Sequence, residues 1–189
     1  MKRLVLSILL MATFGLAACG NTGNSSTVST QTSNTTEQTT VSIKDSNGDR
    51  VEVQKNPQKV VVFDNGSLDT LDALGVGDRV IGAATKNLPS YLDKYKDVES
   101  AGGIKEPDLE KINQLQPDLI IISGRQSDYK EELAKIAPTL YLAVDTKEPW
   151  ESVQQNVNAL AEIFGKEDKA KEELATLTKE IEETKEKAS

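Results

Sequence analysis

The sequence predicts an α/β domain, a mostly parallel sheet with helices on both faces. Three observations carry this. Short, continuous apolar runs recur at Val60–Phe63, Leu119–Ile122 and Leu140–Ala143, the pattern of strands buried on both sides. Amphipathic stretches lie between them, and Gly or Pro punctuates nearly every boundary. Strands that alternate with helices in this way pair in parallel through crossover connections.

The elements follow in order. Val41, Ile43, Val51 and Val53 alternate around Ser46-Asn47-Gly48-Asp49. Asn-Gly tolerates the positive φ that tight turns need, so a β-hairpin is expected, ended by Pro57. Lys59–Phe63 is the first buried strand. Leu68, Leu71 and Leu74 then mark a helix stopped by Gly75, and Arg79–Ala84 a second short strand. Residues 100–107 form a loop around Gly102-Gly103. Pro107-Asp108 opens a helix bearing Leu109, Ile112 and Leu115. Leu119–Ile122 is the most apolar strand; Ser123–Ser127 and a helix with Leu133 and Ile136 follow it. Pro138 precedes the strand Thr139–Ala143, and Pro149-Trp150 starts a helix through Phe164. The remainder, Lys166–Lys187, is a charged helix with one stripe (Ala170, Leu174, Leu177, Ile181). Spacings of four, three and four put those residues on one face, and some 22 residues would span roughly 33 Å.

The start of the chain is of a different kind. Lys2 and Arg3 precede an apolar run, Leu4–Leu16, too short to cross a bilayer, and Leu16-Ala17-Ala18 leads to Cys19, the single cysteine. A basic start, a short apolar core and small residues are the parts of an export signal. Ending at a lone Cys, they form a lipobox, so residues 1–18 are expected to be cleaved and Cys19 lipidated. An unmodified thiol would be a liability in an oxidising compartment. The expected location is extracytoplasmic, with the membrane reached through the lipid anchor. Residues 20–40 are nearly all Gly, Asn, Ser, Thr and Gln. Such a segment cannot bury enough surface to offset its ordering entropy and is expected to be a tether. Its composition suggests a Gram-positive surface.

Composition narrows function. The formal charge is −8, about −10 once Lys2 and Arg3 leave with the signal, which disfavours nucleic acid. No histidine is present, so imidazole-based zinc sites and Ser-His-Asp or Cys-His catalysis are out of reach. Carboxylate-pair chemistry stays open, because 30 acids make any one pair unrecognisable.

Arg125 is the leading candidate for binding. From Lys44 onward there are three arginines (Arg50, Arg79, Arg125) against 17 lysines. Arg125 falls just past the carboxyl end of a buried strand, where ligands of open α/β sheets collect. Its planar fork of donors suits oxyanions; pairing with Asp128 is the alternative. Asn65-Gly66-Ser67 follows another buried strand, so its amides could face the same crevice, or Ser67 could serve as a plain N-cap. Lys86 and Tyr91 lie in a loop after a strand, where solvation is the simpler role. No phosphate-binding glycine fingerprint is present.

Four segments, KVVVFDNGSLDTLDALGV, KNLPSYL, GGIKEPDLEKINQLQPDLIIISGRQ and IAPTLYL, resemble the substrate-binding lipoproteins of iron–siderophore ABC importers, in particular the catecholate group that includes petrobactin-binding proteins. The resemblance implies two α/β lobes joined by a long helix, with a ferric siderophore held between them. On this view residues 41–165 are the N-terminal ligand-binding lobe and 166–189 the truncated inter-lobe helix, with the second lobe absent. It further implies that Arg125 touches ligand; Asn65, Gly66, Lys86 and Tyr91 are the secondary lining candidates. Glu110 matches a position that docks to the permease of a permease–ATPase complex. The implied protein is a monomeric carrier that catalyses nothing and holds no cofactor or metal site of its own. Haem, cobalamin or a hydroxamate siderophore on the same fold, and a surface adhesion or scaffold lipoprotein, are the competing readings.

Overall fold

The computed structural model describes residues 39–86 and 88–188. The expected signal (1–18), Cys19 and the polar segment as far as residue 38 lie outside them.

β1 (Thr40–Lys44) and β2 (Arg50–Gln54) pair antiparallel, with Thr40 opposite Gln54 and Lys44 opposite Arg50. The turn is the expected one. Gly48 takes φ 89°, and the Asp45 carboxylate accepts the N–H groups of Asn47 (2.9 Å) and Asp49 (3.0 Å), an Asx-type closure. Alternation turns Ile43 and Val53 inward, where both are buried.

The main sheet has five strands: β3 (Val60–Val62), β4 (Val80–Ala83), β5 (Glu99–Ser100), β6 (Leu119–Ile122) and β7 (Thr139–Tyr141). All pair in parallel in the order β5-β4-β3-β6-β7. Five α-helices among the described residues accompany them: α1 (Asn65–Ala73), α2 (Leu109–Leu115), α3 (Lys130–Leu133), α4 (Pro149–Phe164) and α5 (Glu167–Ala188). The expected α/β class holds. Val60, Val62, Leu119, Ile121 and Leu140 face one core with Leu68 and Leu71 of α1 and Leu160 of α4. Val61, Ile120 and Ile122 face the other, with Ile112 of α2 and Leu133 of α3. Because both faces are covered, β3 and β6 read as unbroken apolar runs.

Caps fix where helices begin. Asp64, in extended backbone, accepts the Ser67 N–H at 2.7 Å and the Ser67 hydroxyl at 2.9 Å. The cap of α1 is therefore Asp64; Ser67, an alternative the sequence allowed, lies inside the helix and supports the cap. Gly75 ends that segment at φ 74°. Asp108 caps α2 through the Lys111 N–H (3.1 Å), and Pro149 opens α4 as expected.

Short elements were not foreseen, among them β5 and the 3₁₀ segments. β5 has two residues, and Ser90–Asp97 winds as a 3₁₀ segment that buries Leu92 and Tyr95. The Tyr95 hydroxyl has no hydrogen-bond partner among the described residues. Burial, with help from Asp69 and Asp78, holds that phenol above its ordinary pKa.

The hairpin is fastened to the rest. Lys130 Nζ lies 2.6 Å from Asp45 and 2.7 Å from Asp49. Burial lowers the Lys130 pKa, but the hydrogen bonds it donates to both carboxylates, with their charge, outweigh this and raise the value overall. Ser46 N–H donates to the Tyr141 carbonyl (2.8 Å), and the Ala143 N–H donates to Ser46 Oγ (3.0 Å). In α5, Ala170 and Leu174 are buried whereas Leu177 is 42% exposed, so half the apolar stripe is packed. No helix among the described residues is long and apolar enough to cross a membrane.

Candidate functional site

The chain runs from β3 through β4 to β5 in one direction across the sheet, then returns and runs from β6 to β7 in the other. The direction reverses between β3 and β6. At such a point the loops leaving two neighbouring strands diverge to opposite faces and open a crevice beyond their carboxyl ends. The segments leaving these strands are Asp64-Asn65-Gly66 and Ser123-Gly124-Arg125.

Arg125 lies on the 3₁₀ turn Gly124–Tyr129 and is exposed. Among the described residues its side chain makes no hydrogen bond or ion pair, so the alternative of pairing with Asp128 is not what is found. Asn65 is half-buried and Gly66 exposed. As the first residues of α1 they carry N–H groups with no intrahelical acceptor. Lys86 follows β4, is exposed and likewise has no partner among the described residues. β4 and β6 flank β3, so the chain ends leading to Lys86 and Arg125 stand about 9–10 Å apart at the sheet edge. The sheet thus brings Asn65, Gly66 and Arg125 to the reversal, with Lys86 one strand away. Tyr91, 65% exposed, belongs to the 3₁₀ segment between β4 and β5 and not to a strand end. Glu110 is exposed on the first turn of α2, where it accepts from Gln114 Nε2 at 3.3 Å. Cys19 lies outside the described residues.

Two residues on this rim escaped the sequence reading. Lys105 sits in the loop after β5, exposed and without a partner among the described residues. Gln126, beside Arg125, is 1% exposed. Lys105 is one lysine among many, and the burial of Gln126 depends on a loop 22 positions away.

A recess of ≈ 70 Å³ beside the rim is lined by Asp64, Gly66, Ser67, Val144 and Val157, among others. A larger concavity of ≈ 340 Å³ follows the end of β7, lined by Tyr141, Ala143, Val144 and Ser152 among others, and one of ≈ 700 Å³ lies between the hairpin turn and α4. No group of three or more His, Cys, Asp or Glu able to hold a metal occurs among the described residues. The rim thus carries three uncompensated cations, Lys86, Lys105 and Arg125, on a chain of net charge −8. Such a surface suits a bulky anion better than a bare metal ion.

The family model described as "Periplasmic binding protein" matches residues 60–189. The chain belongs to the periplasmic binding protein family. This periplasmic binding protein is 48% identical over 190 residues to the petrobactin-binding protein YclQ of Bacillus subtilis (strain 168), covering 99% of the chain and 58% of YclQ. It is 32% identical over 138 residues to the ferric-anguibactin-binding protein FatB of Vibrio anguillarum, covering 69% of the chain and 42% of FatB. The crystal structure of YclQ matches with a TM-score of 0.77 at 48% identity, over 78% of this chain and 53% of that one. The structure of the siderophore-binding protein BauB, bound to a complex between two molecules of acinetobactin and ferric iron, matches at TM-score 0.71 and 29% identity, over 77% of this chain and 52% of that one. The chain spans about half the length of the curated relatives it matches. One α/β lobe followed by a long helix is the part of the periplasmic binding protein described here, and its relatives are named for binding, not for catalysis.

Proposed function

We propose that this chain forms one wall of the cleft of a ferric-siderophore-binding protein, of the catecholate type, that delivers its load to an ABC importer for iron uptake. The observation that carries the proposal is Arg125, uncompensated at the point where the strand order reverses. A ferric tris-catecholate is a trianion whose oxygens accept hydrogen bonds. Each charge-assisted bond from a guanidinium contributes roughly 1.5–3 kcal/mol. Lys86 adds charge, the Asn65 and Gly66 amides add donors, and Tyr91 offers an aromatic face at the periphery. Glu110, on the outer face of α2, supplies an acidic contact for the permease. The kinship with proteins named for petrobactin and anguibactin supports this ligand class.

Trp150, the single tryptophan, opens α4 shortly after β7 leaves the rim, which makes intrinsic fluorescence a local reporter. Ferric petrobactin is expected to quench the fluorescence of a protein with the full length of the relatives, and to act far more weakly on the 189-residue chain, which offers one wall. No response of the longer protein to any ferric catecholate would overturn the ligand class and direct the search to haem, cobalamin or hydroxamate complexes.

Anchoring is part of the same proposal: Cys19 carries lipid and holds the carrier outside the cytoplasm. Cys19→Ser is expected to move the protein from the membrane fraction to the soluble one. Membrane retention of that variant without lipid labelling would refute the anchor.

A further inference from the structure

Gln126 is a buried amide on an exposed turn, since Gly124, Arg125, Ser127 and Asp128 all face solvent. A buried amide must satisfy both of its ends. Here the Oε1 accepts the Ser123 N–H at 3.0 Å, and the Nε2 donates to the carbonyl of Ile104. One side chain therefore joins the segment leaving β6 to the loop leaving β5, two strands with β3 and β4 between them.

The loop it grips is itself fixed. Gly102 sits at φ 108°, and a Cβ there would lie 2.4 Å from the Asp108 nitrogen and 2.7 Å from the Glu106 carbonyl. Gly103 and Glu106 exchange backbone hydrogen bonds of 2.9 and 3.1 Å, and the Asp108 N–H donates to Ala101 at 2.9 Å. Ile104 precedes Lys105 directly, just as Gln126 follows Arg125 directly. The amide thus ties together the backbones that bear two uncompensated cations, whose mutual repulsion would otherwise favour their separation.

We propose that Gln126 is a positioning residue that holds Arg125 and Lys105 at a set spacing over the crevice, so that the ligand meets a preorganised pair of charges. Preorganisation raises affinity by lowering what binding must spend on ordering. The inference rests on the reading of Arg125 as a ligand contact.

A double-mutant cycle on ferric petrobactin affinity separates this role from a general structural one. In the full-length protein Q126M is expected to weaken binding about fivefold, the loss of one hydrogen-bonded brace. Combined with R125A it should cost less than about twofold more, because the brace then has no guanidinium to place. Q126E keeps the size and the acceptor but sets a carboxylate against the Ile104 carbonyl. Its added negative charge beside an anion site should make its loss larger than that of Q126M, and the neutral Q126L completes the cycle if Q126M fails to fold. Equal losses in both backgrounds would overturn the proposal and mark Gln126 as structural only. If R125A weakens binding while Q126M and Q126E leave it unchanged, the proposal falls and the reading of Arg125 stands. If R125A itself has no effect, both fall together.

Discussion

Arg125→Ala is expected to weaken ferric-siderophore binding about tenfold or more, the lower end of what loss of a charge-assisted bond costs. The structure makes this a clean experiment. Arg125 is exposed and has no protein partner among the described residues, so truncation leaves no buried carboxylate or carbonyl behind and the unfolding midpoint should not move. A fall in affinity at constant stability then reports ligand contact alone. Arg125→Lys should fall between, because it keeps the charge but loses the planar fork that can engage two oxygens at once. Affinity measured by Trp150 quenching and unchanged in Arg125→Ala would remove Arg125 from the site, and with it the chief physical argument for an anionic ligand.

The largest effect on stability is expected at Ile121. It is fully buried at the middle of the parallel ladder, opposite Val62 on β3 and Leu140 on β7. Its neighbours on both sides are strands, so the backbone cannot collapse into the space that Ile121→Ala would leave. The expected cost is about 2–5 kcal/mol, a large share of the roughly 5–15 kcal/mol that holds a typical domain together. Val144→Ala is the control, since Val144 is 53% exposed and its truncation should cost less than about 0.5 kcal/mol. Urea unfolding of the two variants tests this: equal midpoints would contradict the placement of β6 inside the sheet, between β3 and β7.

The β3 and β6 strands were readable because burial on both faces removes every polar interruption, and Gly75, Pro107, Pro138 and Pro149 mark boundaries by backbone chemistry alone. What escaped depended on distant contacts. β5 is a strand only because Gly82 and Ala83 of β4 offer it backbone partners; Glu99-Ser100 has no apolar pattern of its own. The choice of Asp64 over Ser67 as a cap turned on where the backbone leaves β3, which side-chain type does not encode. At the site, Arg125 stood out by rarity and by its place after an apolar run, whereas Lys105 had neither signal. Gln126 was invisible for the same reason as β5, its partner being a carbonyl in another loop. Strand order, which decides where the crevice opens, is likewise absent from local pattern and emerged only from pairing.

The bonds from Ser46 to β7 have a further consequence. β7 is one border of the five-stranded sheet, and a border normally presents free N–H and C=O groups on which a strand from another molecule can grow. Here the Tyr141 carbonyl and the Ala143 N–H are already engaged by Ser46, and the Ala143 carbonyl by Asn156 at 3.1 Å. The opposite border, β5, is two residues long, too short to template an addition. With those groups occupied along one margin and the other margin so short, the sheet leaves little free backbone on which a strand from a second copy could grow.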